Sequence, residues 1–262
     1  MGLHGAGDVP KLEVIGHRAR LVLQRPDKRN RLEPADLEQI ISHLQQIQNN
    51  PSVRVVTLEA EGPSWCSGYH LGALAEGERP QFDFGDVCDA LAEVKVPTIA
   101  VLGGNVHGGG TDLAIACDLR VGSQEIVLGM PAARIGIQYY ATGLQRFVQR
   151  VGAAATKRIF LTSETITADE LLRVGYLTEV VNQSELDSRV KELCATIAEL
   201  SPNAVKLTKL AIDNLAGAAP DLQEAQDNHL ASLKSADHRE AMRAIKEKRS
   251  PSFLVEDNAR DE

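Results

Sequence analysis

From residue 12 to residue 129 the chain alternates short, β-branched apolar runs with stretches of helical periodicity. That alternation restricts it to an α/β architecture in which most strands pair in parallel. Residues 12–16 and 19–24 read as a pair of strands, and 53–58, 98–102, 119–122 and 126–129 as four more. Between the second and third, Pro34–Gln48 carries Leu37, Ile40, Ile41, Leu44 and Ile47 at three–four spacing, the buried face of one helix. Pro34 suits its first turn and Asn50-Pro51 ends it. A looser helix is expected over residues 84–94, and residues 61–69 read as a Gly/Pro/Ser loop. From Thr142 the pattern turns helical, broken only at residues 179–182; Ser201-Pro202 is a serine cap followed by a first-turn proline. The expected layout is therefore an α/β core over residues 1–199 and a helical region over 200–262.

Within the core, His107-Gly108-Gly109-Gly110-Thr111-Asp112 joins a buried strand to a helix. Three consecutive glycines mean close backbone approach or positive φ. The N–H groups at such a helix start carry about half a positive charge, so backbone can hold an anion there. A tight packing turn of small residues is the plainer alternative. A second loop, Trp65-Cys66-Ser67-Gly68-Tyr69-His70-Leu71, also follows a strand and also offers small residues around a backbone N–H. Two such donors on one oxygen would form an oxyanion hole, where losing a donor costs about 10²–10³ in rate.

Composition narrows the partners. The formal net charge of −8 argues against nucleic acid as a general ligand. No apolar run reaches the ~18 residues of a membrane span, and residues 1–8 lack a secretory pattern. Ala6 stands where a lipidation signal requires Ser or Thr. Cys66, Cys88, Cys117 and Cys194 have no metal or redox spacing, and the histidines are scattered. The expectation is a cytoplasmic protein with reduced thiols, no metal and no membrane partner.

Eight segments come in a telling order: Leu23-Gln-Arg-Pro-Asp-Lys-Arg-Asn30, Cys66-Ser-Gly68, Gly108-Gly-Gly-Thr-Asp112, Cys117-Asp-Leu-Arg120, Gly129-Met-Pro131, Arg134-Ile-Gly136, Ser201-Pro-Asn-Ala-Val-Lys-Leu-Thr-Lys209 and Lys246-Glu-Lys-Arg-Ser-Pro-Ser-Phe253. Together the chain resembles the enoyl-CoA hydratase/isomerase (crotonase) family over nearly its whole length. The resemblance implies a crotonase-like spiral of ββα units with a C-terminal helical subdomain, and homotrimers that can pair into hexamers. It implies an acyl-CoA substrate, coenzyme A being part of that substrate and not a separate cofactor. The oxyanion donors would be the backbone N–H groups of Tyr69 and Gly109. Around them Gly68, His70, Leu71, Gly108, Pro131 and Ala132 would line the thioester site. Lys28 and Arg29 would meet the nucleotide phosphates, with Lys246, Lys248 and Phe253 completing the site across a subunit boundary. A solvated turn and a polar helix end are the plain alternatives for these two basic groups.

One departure is sharp. Hydratases of the family use two glutamates, and here those positions hold Asp112 and Ala132. Asp112 is one methylene shorter, about 1.5 Å of reach; Ala132 transfers no proton. Tyr139 and Tyr140 stand in the acyl-pocket region and are candidate assistants to Asp112, or else pocket wall or subunit contact. A tyrosine at 139 is similar to the malonyl-type decarboxylase branch. Three readings thus stay open: hydratase/isomerase chemistry, decarboxylation of a methylmalonyl-CoA-like thioester, and a non-catalytic CoA-binding or interaction member of the fold.

Overall fold

The computed structural model describes residues 8–70, 72, 81–217 and 222–253; Leu71 of the first oxyanion loop lies outside them. The chain runs β1 (Lys11–Ile15), β2 (Arg18–Leu23), α1 (Pro34–Gln48), β3 (Val55–Ala60), β4 (Ser64–Cys66), α2 (Phe84–Ala92), β5 (Thr98–Leu102), β6 (Asn105–His107), α3 (Gly109–Ile115), β7 (Leu119–Ser123), β8 (Val127–Gly129) and α4 (Ala141–Thr162). Then follow β9 (Thr165–Thr167), α5 (Ala168–Arg173), β10 (Glu179–Val181), α6 (Leu186–Glu199), α7 (Pro202–Leu215), α8 (Leu222–Ser232) and α9 (Ala236–Glu247).

Two sheets result. A six-stranded sheet has the order β1-β2-β3-β5-β7-β10, a four-stranded one β4-β6-β8-β9. Among the described residues, only the β1/β2 hairpin and the β8/β9 pair are antiparallel. Three times in succession the chain gives a strand to the large sheet, a strand to the small sheet, and then a helix. This is the spiral of ββα units that the motif order implies. Val55, Val56, Thr57 and Leu58 of β3 are all buried, as expected of a parallel strand covered on both faces. The buried face of α1, from Leu37 to Ile47, packs into the same core as β2, β3 and α2.

Three strands escape the sequence pattern. β4 and β6 lie where a loop and an unassigned link were expected, and β9 interrupts a stretch read as helix. Each is three residues long, too short for a period of two to show. α2 ends at Ala92, two residues early, where Glu93 closes it. Gly152, at φ +77°, breaks α4 into two segments.

All four cysteines are buried, and none is in a disulfide. Burial pushes the Cys66 and Cys117 thiols up to about 12. A thiol reagent at pH 8 is therefore expected to leave the native protein almost unlabelled, while the denatured chain gives up all four thiols. Rapid labelling of the native protein would contradict this burial.

The C-terminal helices sit on the core through few contacts. Lys209 of α7 pairs with Asp118, Arg150 reaches Asp213, and Arg54 donates to the Phe253 and Ala198 carbonyls at 2.7 and 2.6 Å. Leu210, Ile212 and Leu215 of α7 and Met242 and Ile245 of α9 remain exposed. Among the described residues no helix is long and apolar enough to cross a membrane.

Candidate active site

The glycine run does what its composition requires. Gly108 adopts φ +52°, ψ −131° and opens α3; its carbonyl accepts from the Thr111 amide and hydroxyl at 3.0 and 2.8 Å. The amides of Gly109 and Gly110 head the helix, where no intrahelical carbonyl faces them. A β-carbon on Gly110 would lie 2.6 Å from the Cys66 carbonyl oxygen, which is backbone and cannot swing aside. Gly110→Ala is expected to destabilise the fold by about 1–3 kcal/mol, the usual cost of overpacking. A denaturant titration reads this directly.

The second loop is locked against the first. Leu32 donates to the Gly68 carbonyl and accepts from the His70 amide, both at 2.9 Å, and so clamps the segment on either side of Tyr69. Gly68, at φ +89°, approaches α3 so closely that a β-carbon there would stand 2.5 Å from the Gly109 nitrogen. Lys28 and Arg29 join the same corner: the Arg29 carbonyl accepts from the Ser67 amide at 3.0 Å, and both basic side chains are exposed. Asn30 fixes this turn by donating to the Glu61 and Ser64 carbonyls at 2.8 Å. His70 bonds the Glu33 carboxylate through Nδ1 at 2.6 Å, and Arg31 reaches the other oxygen of Glu33.

Asp112, in the first turn of α3, is completely buried. Arg146 Nε donates to its Oδ1 at 2.8 Å, and the hydroxyls of Tyr139 (3.2 Å) and Tyr140 donate to its Oδ2. Gly143 makes room, since a β-carbon there would meet both Asp112 Oδ2 and the Tyr139 ring at 2.6 Å. Arg146 also donates to Asp89 of α2 at 3.0 Å, so one guanidinium ties α2, α3 and α4 together. Burial alone would lower the Arg146 pKa; the Asp112 charge more than reverses this and raises it. Burial first, and then nearby negative charge, push both tyrosines far above the usual phenol range. They stay neutral donors.

Arg146 was not among the residues singled out from the sequence. It lies 34 positions from Asp112, and nothing in local spacing connects the two. Ala132 is buried in a 3-10 turn that Pro131 opens, with no titratable atom to offer. Lys246 lies in the last turn of α9 and is exposed. The Phe253 carbonyl accepts from Arg54, just before β3 begins, whereas Asn30 of the Lys28–Arg29 turn donates to the Glu61 carbonyl just past the end of β3. The length of the strand, roughly 20 Å for six residues, therefore separates them. Within one chain, Phe253 is not gathered with Lys28 and Arg29.

His107, just before the glycines, has its pKa lowered, first by burial and then by the Arg29 charge. The unfolded chain takes up this proton near pH 6.5. The stabilisation from a neutral ring is therefore complete above about pH 6.5 and is lost as pH falls below it toward the folded value. Melting temperature is expected to drop between pH 7 and 5.5, and to drop less in His107→Gln.

With this geometry in hand, the relatives are informative. The enoyl-CoA hydratase/isomerase family matches over residues 18–256. A short-chain-enoyl-CoA hydratase of Clostridium acetobutylicum is 31% identical over 248 residues, covering 91% of this chain and 94% of the relative. An enoyl-CoA isomerase/hydratase of Mycosarcoma maydis is 30% identical, covering 89% of this chain and 91% of the relative. The crystal structure of an enoyl-CoA hydratase from Bacillus anthracis superposes with a TM-score of 0.87 at 28% identity, covering 95% of this chain and all of the other. Fold and site thus define an acyl-CoA enzyme of crotonase architecture. The chain belongs to the enoyl-CoA hydratase/isomerase family.

Proposed function

We propose that the protein binds an acyl-CoA thioester with its carbonyl oxygen between the amides of Tyr69 and Gly109, and stabilises the enolate formed there. The observation that carries this reading is the contact between two glycine-containing loops, Gly68 against Gly109, beside a carboxylate on the first turn of α3. An enolate oxygen is a localised negative charge, and fixed backbone dipoles hold it without reorganising.

Asp112 is the principal acid/base and acts through the phenols. Its Oδ2 accepts both hydroxyls, so a proton reaches it by relay. In hydration, a water oxygen bonds C3 of a 2-enoyl thioester and gives its proton to the Tyr140 oxygen. Tyr140 passes its own proton to Asp112. The enolate electrons at C2 then take a proton back along the same path, and the sum is addition of one water. Tyr139 holds the second hydrogen bond that keeps the carboxylate in place. Lys28 and Arg29 receive the nucleotide phosphates.

A second reading has its own support in Ala132. Decarboxylation of a malonyl-type thioester forms the enolate by losing CO₂, so only reprotonation remains and one acid suffices. Assays of crotonyl-CoA hydration and methylmalonyl-CoA decarboxylation, run side by side, separate the two. Hydration abolished in Asp112→Ala supports the first; decarboxylation alone supports the second.

The exposed apolar residues of α7 and α9, and the distance between Phe253 and Lys28, support a homotrimer or a dimer of trimers in which a neighbour supplies Lys246 and Phe253. Light scattering is expected to give three or six chains; a monomer would contradict it.

A further inference from the structure

The ring of Phe84 occupies the space where a side chain on Gly109 would go. A β-carbon built on Gly109 would stand 2.8 Å from Phe84 Cζ and 3.0 Å from Cε1. Phe84 is the first residue of α2, and its backbone is fixed by a capping box in which Asp83 and Asp86 exchange hydrogen bonds at 2.7 and 2.9 Å. Its ring meets Tyr140 edge-on at 6.5 Å and leans on Tyr69 at 6.4 Å. The rings behind it are held as well. Tyr139 packs in tilted contact with Tyr140 at 4.6 Å and with Phe160 at 5.2 Å between ring centres, and both tyrosines are tied to Asp112.

Resting on the oxyanion reading above, we propose that Phe84 sets the depth of the acyl pocket and restricts the substrate to short acyl groups, about the length of a crotonyl chain. A thioester held on the Gly109 amide sends its chain past the Cα of Gly109, and that Cα is covered by Phe84. Beyond Phe84 stands Tyr140, whose hydroxyl cannot leave Asp112 without stranding a buried donor. A longer chain has to displace aromatic rings that are packed and hydrogen-bonded, whereas a short one ends before it reaches them. Apolar pockets discriminate single methylenes by about 10–200-fold when the space is filled.

Calorimetric binding of butyryl-CoA and decanoyl-CoA to the full chain tests this without requiring turnover. The wild-type protein is expected to bind butyryl-CoA at least ~10-fold more tightly than decanoyl-CoA. Phe84→Ala is expected to narrow or reverse that ratio by a similar factor. Phe84→Leu, which keeps an apolar cap, falls between and serves if the alanine variant folds poorly. Equal affinity of the wild type for the two thioesters, or an unchanged ratio in both variants, overturns the role of Phe84 alone. No binding of either thioester overturns the acyl-CoA reading and this inference with it.

Discussion

Asp112→Asn is expected to lower turnover by about 10²–10⁴-fold, the usual contribution of a positioned acid/base. The amide keeps the shape of the carboxylate and can still accept one phenol hydrogen bond, but it cannot take a proton from Tyr140. Binding of the thioester should change little, because the oxyanion amides and the basic turn at Lys28 and Arg29 are untouched. The split between kcat and KM distinguishes this from a structural effect. A loss confined to kcat fits the relay, whereas a rise in KM alone would mean that Asp112 only shapes the pocket.

Arg146→Met is expected to cost about 3–5 kcal/mol of stability, the penalty for stranding a buried charge. Asp112 is fully enclosed and the Arg146 side chain nearly so, at 9% exposure. Removing the guanidinium leaves the carboxylate with two phenols and no cation, and it frees Asp89 on α2 as well. The double variant Arg146→Met/Asp112→Asn should recover part of the loss, because the charge that required a partner is gone. Chemical denaturation of the four proteins forms the cycle. Additive losses would show that the pair does not act as a unit.

The large-scale fold was legible because its strands and α1 carry full periods. Leu37 to Ile47 mark a helix face unambiguously, and the β-branched runs at Val55 and Thr98 mark buried parallel strands. The small sheet was legible only at β8, which the sequence marks as a strand over residues 126–129. β4, β6 and β9 have three residues each and no pattern of their own marks them; the longer strands β3 and β5 just upstream deliver β4 and β6 to their places beside one another and β8. The site shows the same division. The two glycine-bearing loops and Asp112 stood out as local motifs, and the structure packs those loops together, Gly68 against Gly109; the donor roles of Tyr69 and Gly109 come from the family resemblance. Arg146 and Phe84 could not be read, since a guanidinium 34 residues away and a ring across a helix start leave no mark in local sequence. His70 and Glu33 likewise meet only through the bridge between Leu32 and Tyr69.

The central claim is that this site makes a thioester enolate. Butyryl-CoA incubated with the protein in D₂O, followed by NMR at C2, tests it most directly, since the readout is the same whether the physiological reaction is hydration or decarboxylation. Wild-type protein is expected to wash deuterium into C2, and the Asp112→Asn variant is not. Butyryl-CoA that binds the wild-type protein, yet keeps both C2 hydrogens, would contradict it.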